Sequence, residues 1–93
     1  MYMFYTVRNI QEGSRDGNWL KYWENATKME ANLCHNLFCD EKATDGAHVQ
    51  LANITNLKWY IVPLCHKCNC QFGKELTVTG PLVSVTDPKD ILW

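Results

Sequence analysis

Two close pairs of cysteines stand in NLCHNLFCDE (residues 32–41) and VPLCHKCNCQ (residues 62–71). Four residues separate Cys34 from Cys39, and two separate Cys65 from Cys68. Each spacing lets one tight turn present two thiolates, which is the donor arrangement of a tetrahedral zinc site. We therefore expect these cysteines to hold one structural Zn²⁺ ion, because four protein ligands leave no position open for a reacting water.

The fifth cysteine, Cys70, lies two residues beyond Cys68. On a helix with about 100° per residue it points roughly 200° away, so we expect it to be a free thiol. His35 and His66 each adjoin a cysteine of a pair and become ligands only if one of the cysteines is not used. The alternative to a metal is a set of reduced, buried cysteines, which two such pairs in one short chain disfavour.

Length and charge narrow the class of protein. The 93 residues predict a single domain, 1–93. Its hydrophobic core is small, so a bound metal ion would add to the stability of the fold. The formal net charge of -1 disfavours nucleic acid as a partner, since binders of nucleic acid usually carry a basic surface. The chain shows neither an apolar run near the roughly 20 residues of a membrane span nor a signal-peptide pattern. We therefore expect a cytoplasmic protein with reduced thiols and no membrane contact.

The hydrophobic pattern predicts an α+β fold. Residues 2–10 indicate a strand, and Asn18 is expected to cap a helix to about Ala31 with a core face of Trp19, Tyr22, Trp23, Ala26 and Met29. Two strands, Ala47–Leu51 and Trp59–Pro63, are expected to form a hairpin. A short helix that carries Cys65 and Cys68 should follow and stop at Gly73. The pattern of Leu76–Val85 predicts a C-terminal hairpin around Thr79-Gly80-Pro81.

The order of cysteine turn, hairpin and helix resembles a treble-clef zinc finger, with its core at about residues 34–74. GAHV (residues 46–49) and PLCHKCN (residues 63–69) are similar to the HNH, or His-Me finger, nucleases. This resemblance implies that His48 is the general base that activates water and that Asn69 helps to hold a catalytic Mg²⁺ or Mn²⁺ ion. The string GAHV…WYIVPLCHKCN also resembles small bacterial and phage proteins, which implies an origin in a mobile element.

These observations favour a structural-zinc binding or regulatory module that has no chemistry of its own and acts on a protein partner. Four Trp and four Tyr residues exceed what a small core buries easily, and surface aromatic side chains are frequent interface hot spots. A phage-type inhibitor, as a non-catalytic member of the HNH-like group, is one form of this hypothesis. The alternative is a metal-dependent HNH-type endonuclease with His48 as base. A finger that binds nucleic acid without cleavage is the third reading, and the oligomeric state is open.

Overall fold

The computed structural model describes residues 4–10, 18–52, 58–71 and 73–85. Within them the chain forms strands and two short helices, which confirms the α+β class. In chain order the elements are β1 (Phe4–Asn9), α1 (Asn18–Thr27), β2 (Asp45–Leu51), β3 (Trp59–Leu64), α2 (His66–Asn69), β4 (Glu75–Thr79) and β5 (Val83–Val85). The sequence also predicts a polar loop over residues 11–17, a polar turn with Asn53, Thr55 and Asn56, and a turn-like tail over residues 86–93, all of which lie outside the described residues.

These strands form one antiparallel sheet in the order β4-β1-β2-β3-β5. The N-terminal strand and the β2–β3 hairpin are both confirmed. In the hairpin, Ala47 lies opposite Val62 and His48 lies opposite Ile61. Residues 45–49 of β2 and 61–64 of β3 are buried, so the hairpin forms the centre of the molecule.

The predicted C-terminal hairpin is wrong. β4 pairs with β1 and β5 pairs with β3, at opposite edges of the sheet. Without β4 and β5, the strands β1 and β3 would each have unpaired backbone N–H and C=O groups along one edge. β4 and β5 supply the hydrogen-bond partners of these groups. The turn signal Thr79-Gly80-Pro81 marks the end of β4, but it connects two edges of the sheet instead of two neighbouring strands.

A short connection between the two edge strands requires a curled sheet. From Thr79 to Val83 the chain can reach about 14 Å at most. In a flat sheet, with roughly 4.8 Å between neighbouring strands, the two edge strands would be about 19 Å apart. The sheet therefore curves toward closure at this end, in the manner that strand twist allows.

The two faces of the central hairpin pack against different parts of the chain, because side chains alternate along a strand. Ala47 and Val62 belong to a core that also contains Cys34, Cys65 and Cys68. His48 and Ile61 occupy the opposite face, which α1 covers with the fully buried side chain of Trp23. The cysteines and α1 therefore lie on opposite faces of the sheet.

The approach of α1 to β2 is so close that only glycine fits at position 46. A Cβ atom on Gly46 would overlap the backbone of Trp19 and Leu20. Glycine removes this obstacle because it has no side chain. The helix is therefore seated directly on the second residue of β2.

α1 is shorter than predicted and ends at Thr27 instead of near Ala31. Lys28 follows with a φ of 59°, in the left-handed region, and Thr27 Oγ1 accepts a hydrogen bond from the Met29 N–H at 3.2 Å. The chain therefore leaves the helical path before Met29. For this reason the Met29 side chain is 48% exposed rather than part of the predicted core face. Ala26, which lies within α1, is also exposed, so the prediction that it belongs to the core face is wrong.

α2 is a single turn that ends at Asn69, earlier than the predicted stop at Gly73. Cys65 is its N-cap and Cys70 its C-cap. Neither helix in the described part of the chain has the length and apolar character needed to cross a membrane.

Candidate metal centre

The four predicted cysteines come together on the sheet face opposite α1. The sulfur atoms of Cys34, Cys39, Cys65 and Cys68 all lie within 4.8 Å of one another, and those of Cys39 and Cys65 are 3.8 Å apart. Sulfurs around a tetrahedral zinc ion, with Zn–S distances of about 2.3 Å, are also about 3.8 Å apart. All four residues are free thiols. The group can coordinate a metal ion, and its donor set and spacing fit Zn²⁺ with no position left open.

The turn that carries the first pair is shaped by Asn36. The Cys39 N–H donates to the Asn36 carbonyl at 3.0 Å, and Asn36 Oδ1 accepts from the Phe38 N–H at 3.1 Å. Asn36 Nδ2 donates to the Cys68 sulfur at 3.4 Å, so this side chain links the two pairs directly. Sequence reasoning missed Asn36, although an Asn two residues after the first cysteine is a signal for such a turn.

Residues between the cysteines dock the same turn onto the sheet. The His35 N–H donates to the Pro63 carbonyl and the Leu37 N–H to the Thr77 carbonyl, each at 2.9 Å. The His35 ring also donates from Nδ1 to the Thr79 carbonyl at 2.9 Å, since a carbonyl oxygen only accepts. His35 thus holds the turn in place and lies outside the converging group of sulfurs.

The second pair lies at the start of α2, as predicted. The Cys65 sulfur accepts a hydrogen bond from the Cys68 N–H at 3.4 Å, in the position of a helix N-cap. Hydrogen bonds from backbone N–H groups stabilise the thiolate form of a metal ligand. Cys70 is exposed and lies outside the four-sulfur group, which confirms its separation from the centre.

Burial shapes the protonation of these thiols when no metal is bound. Burial raises the pKa of Cys34 far above its ordinary value and also raises the pKa of Cys65, against opposing hydrogen bonds from the backbone. The pKa of Cys39 is lowered, chiefly by a hydrogen bond with the Glu41 backbone. Thiolates this close to one another repel, so all four become charged together only with a cation between them. The arrangement therefore suits a divalent metal ion.

His48 lies on the α1 face, away from the cysteines. Its ring meets Trp19 edge-on, with 4.7 Å between ring centroids, and meets Trp59 at 5.9 Å. The side chain is buried, and burial lowers the pKa of the imidazole, so the ring is neutral at pH 7. In the part of the chain that the structure describes, no side-chain carboxylate or amide bonds to this ring.

Asn69 belongs to a buried polar network that sequence reasoning missed. Its Nδ2 donates to Asp45 Oδ2 at 2.9 Å, and its carbonyl accepts from Asn9 Nδ2 at 2.6 Å. His66 Nδ1 donates to the same Asp45 oxygen at 2.8 Å. Burial alone would raise the pKa of Asp45, but hydrogen bonds from Asn69, His66 and Thr44 outweigh it, and the pKa is lowered. The network ties α2, and with it the second cysteine pair, to β1 and β2.

His48 and Asn69, the pair that the HNH resemblance implies, therefore contact different parts of the molecule. Asp45 and His48 are three positions apart on β2, so their side chains leave the strand on opposite faces. Asn69 bonds to Asp45, whereas His48 packs under α1. The catalytic roles of His48 and Asn69 stay predictions.

Comparison of the chain with known protein families, with curated proteins and with solved structures gives no match.

Proposed function

We propose that the chain is a small zinc-stabilised module of the treble-clef type that acts by binding a protein partner through an exposed apolar surface. The observation that carries this proposal is a groove of about 500 Å³. Phe4, Met29, Leu33 and Leu37 line the groove, and each is between 45% and 57% exposed. Several large apolar side chains around one concave surface are typical of interaction sites on proteins.

Phe38 extends this surface beyond the groove. Its side chain is 84% exposed, although it lies between Leu37 and the metal-site residue Cys39. An aromatic ring so exposed gains most when a partner covers it, which is the usual behaviour of an interface hot spot. We use the term apolar surface for Phe4, Met29, Leu33, Leu37 and Phe38 together.

The candidate metal centre supports the geometry of the apolar surface. Leu33, Leu37 and Phe38 adjoin or lie within the turn that carries Cys34 and Cys39. A metal ion that joins this turn to α2 would hold these three side chains in place relative to the sheet. The order of cysteine turn, β2–β3 hairpin and α2 supports the treble-clef assignment.

The chemistry of the groove indicates the kind of partner. Its described lining contains one carboxylate, Glu30, and neither Lys nor Arg. A segment that fits would bring apolar side chains for the groove and a basic residue for Glu30, as an amphipathic helix of a partner protein can.

Capture of a partner from an extract of the source organism tests this proposal. Bait proteins would be the parent, the double variant Leu33→Ser/Phe38→Ser, and Lys67→Ser as a control on α2, away from the groove. We expect one protein to be retained by the parent and by the control, and to bind the double variant at least about tenfold more weakly. Equal retention by all three baits would contradict the proposal.

The nuclease alternative has less support from the geometry, because His48 is packed between two indole rings on the face opposite Asp45 and Asn69. The direct test is to incubate plasmid DNA and Mg²⁺ or Mn²⁺ with the parent protein and, separately, with His48→Ala. We expect no cleavage by either. Cleavage by the parent that the variant loses would replace the binding proposal with the nuclease.

A further inference from the structure

Cys70 lies beside His66 on the surface of α2. The Cys70 sulfur is 3.4 Å from His66 Nε2, as expected for two residues four positions apart in one helical turn. Cys70 is exposed, and the His66 side chain is 33% exposed, so solvent reaches both. This pair is separate from the four sulfurs of the metal centre.

The other ring nitrogen of His66 is held by a buried carboxylate. Asp45 is 1% exposed, and its Oδ2 lies 2.8 Å from His66 Nδ1. A carboxylate only accepts hydrogen bonds, so Nδ1 carries a proton, and Nε2, the nitrogen nearest Cys70, is the ring atom that can bind a metal ion. Asp45 is itself fixed by Asn69 Nδ2 and Thr44 Oγ1, each at 2.9 Å. A carboxylate behind a histidine is the arrangement that orients metal-binding imidazoles.

We propose that His66 Nε2 and Cys70 Sγ form a second, surface metal site that takes a divalent ion of the Zn²⁺ type, with Asp45 as its positioning residue. A nitrogen and a sulfur on one tetrahedral zinc ion are about 3.5 Å apart, close to the separation of the two atoms here. The described residues supply two ligands to this site, against four at the cysteine centre. We therefore expect the second site to bind its ion more weakly.

Two negative groups beside this pair favour a cation at this position, against the positive charge of the exposed Lys67 on the same turn. The Asp45 carboxylate lies directly behind His66. The four-cysteine centre next to α2 stays negative when it holds a divalent ion, because four thiolates outweigh two positive charges. Imidazole and thiolate together suit zinc better than the hard ions Mg²⁺ or Ca²⁺.

Zinc titration of the folded protein tests the second site. Parent protein that already carries its first ion would be titrated with Zn²⁺ by calorimetry, with the ions per chain counted by native mass spectrometry. We expect the parent to take up a second, weaker ion. Cys70→Ser and His66→Ala should lose this second step and keep the first, and Lys21→Ala, at an exposed position of α1, should behave as the parent.

The variant Asp45→Asn tests whether Asp45 positions His66 for the second ion, because a folded variant still holds the first ion. It should retain the first ion and bind the second about 10–100-fold more weakly, as expected when a histidine ligand loses its carboxylate partner. The proposal is overturned if the parent stops at one ion or if Cys70→Ser binds the second ion as tightly as the parent. Because Cys70 is exposed, its serine variant should fold, so the result does not depend on the Asp45 variant.

Discussion

Asp45 is the residue that joins the most parts of the candidate site. It lies at the start of β2 and accepts hydrogen bonds from Thr44, His66 and Asn69. The last two come from α2, so one buried carboxylate positions the helix that carries the second cysteine pair. A carboxylate can be buried in this way because each of its hydrogen bonds replaces one to water.

Asp45→Asn should lower the free energy of unfolding at pH 7 by about 1–3 kcal/mol, since it removes charge-assisted hydrogen bonds in a buried place. The folded-state pKa of Asp45 lies below its unfolded value. Its stabilising contribution is therefore fully present above about pH 4, the unfolded value, and is lost as the pH falls through the lowered folded-state pKa. Urea denaturation of parent and variant at several pH values measures the difference.

Asp40→Asn serves as the control for that experiment, because it removes an exposed carboxylate of the same type. It should change the stability at pH 7 by less than about 0.5 kcal/mol. Acid also releases metal from thiolates, so the comparison is confined to pH values at which the parent keeps its ion. An Asp45→Asn variant that is as stable as the parent at pH 7 would contradict the role of the carboxylate charge.

At the scale of elements, the contact between α1 and β2 depends on Gly46. Gly46→Ala places a Cβ atom against the backbone of Trp19 and Leu20, which no change of rotamer can relieve. We expect a loss of about 1–3 kcal/mol in the free energy of unfolding, measured by urea denaturation. Metal content should not change, because the cysteines lie on the other face of the sheet.

Ser84→Ala, at an exposed position of β5, provides the comparison for this experiment and should be nearly neutral. If Gly46→Ala is as stable as the parent, α1 does not rest on β2 as the structure shows. If it loses metal along with stability, the two faces of the sheet are coupled more tightly than strand alternation implies.

The elements also show which features of the fold were predictable from the sequence. The β2–β3 hairpin and the cysteine pairs follow from local patterns: alternation of apolar residues along a strand and short spacings between ligands. β4 and β5 were recognisable as strands, but their partners were not, because pairing with β1 and β3 is a non-local choice. The end of α1 was missed because it depends on the left-handed backbone of Lys28 and on the hydrogen bond from the Met29 N–H to Thr27 Oγ1, which the apolar spacing does not reveal.

In the candidate site too, some features were predictable from the sequence and others were not. Spacing identified all four sulfurs that converge and set Cys70 apart. It did not reveal the bond from Asn36 to Cys68 or the one from Asn69 to Asp45, since each joins residues that are far apart in the chain. The resemblance placed His48 and Asn69 in one site, but strand alternation and the packing of α1 direct them to different surroundings.

For the whole molecule, the four-cysteine centre joins the turn at residues 34–39 to α2 next to the central hairpin. A chain of 93 residues has limited apolar surface to bury, so this connection should supply a large part of the free energy of folding. The apolar surface depends on the same turn. Removal of the metal should therefore abolish both the cooperative unfolding transition and the capture of a partner.

The metal content of the purified protein tests this account most directly. Elemental analysis should find about one zinc ion per chain through the four-cysteine centre, and Cys34→Ser, purified in the same way, should lack it and be unfolded. Cys70→Ser is the matched control and should keep this ion and the fold. A parent protein that is folded without metal, and whose thermal stability a strong chelator leaves unchanged, would contradict the central claim.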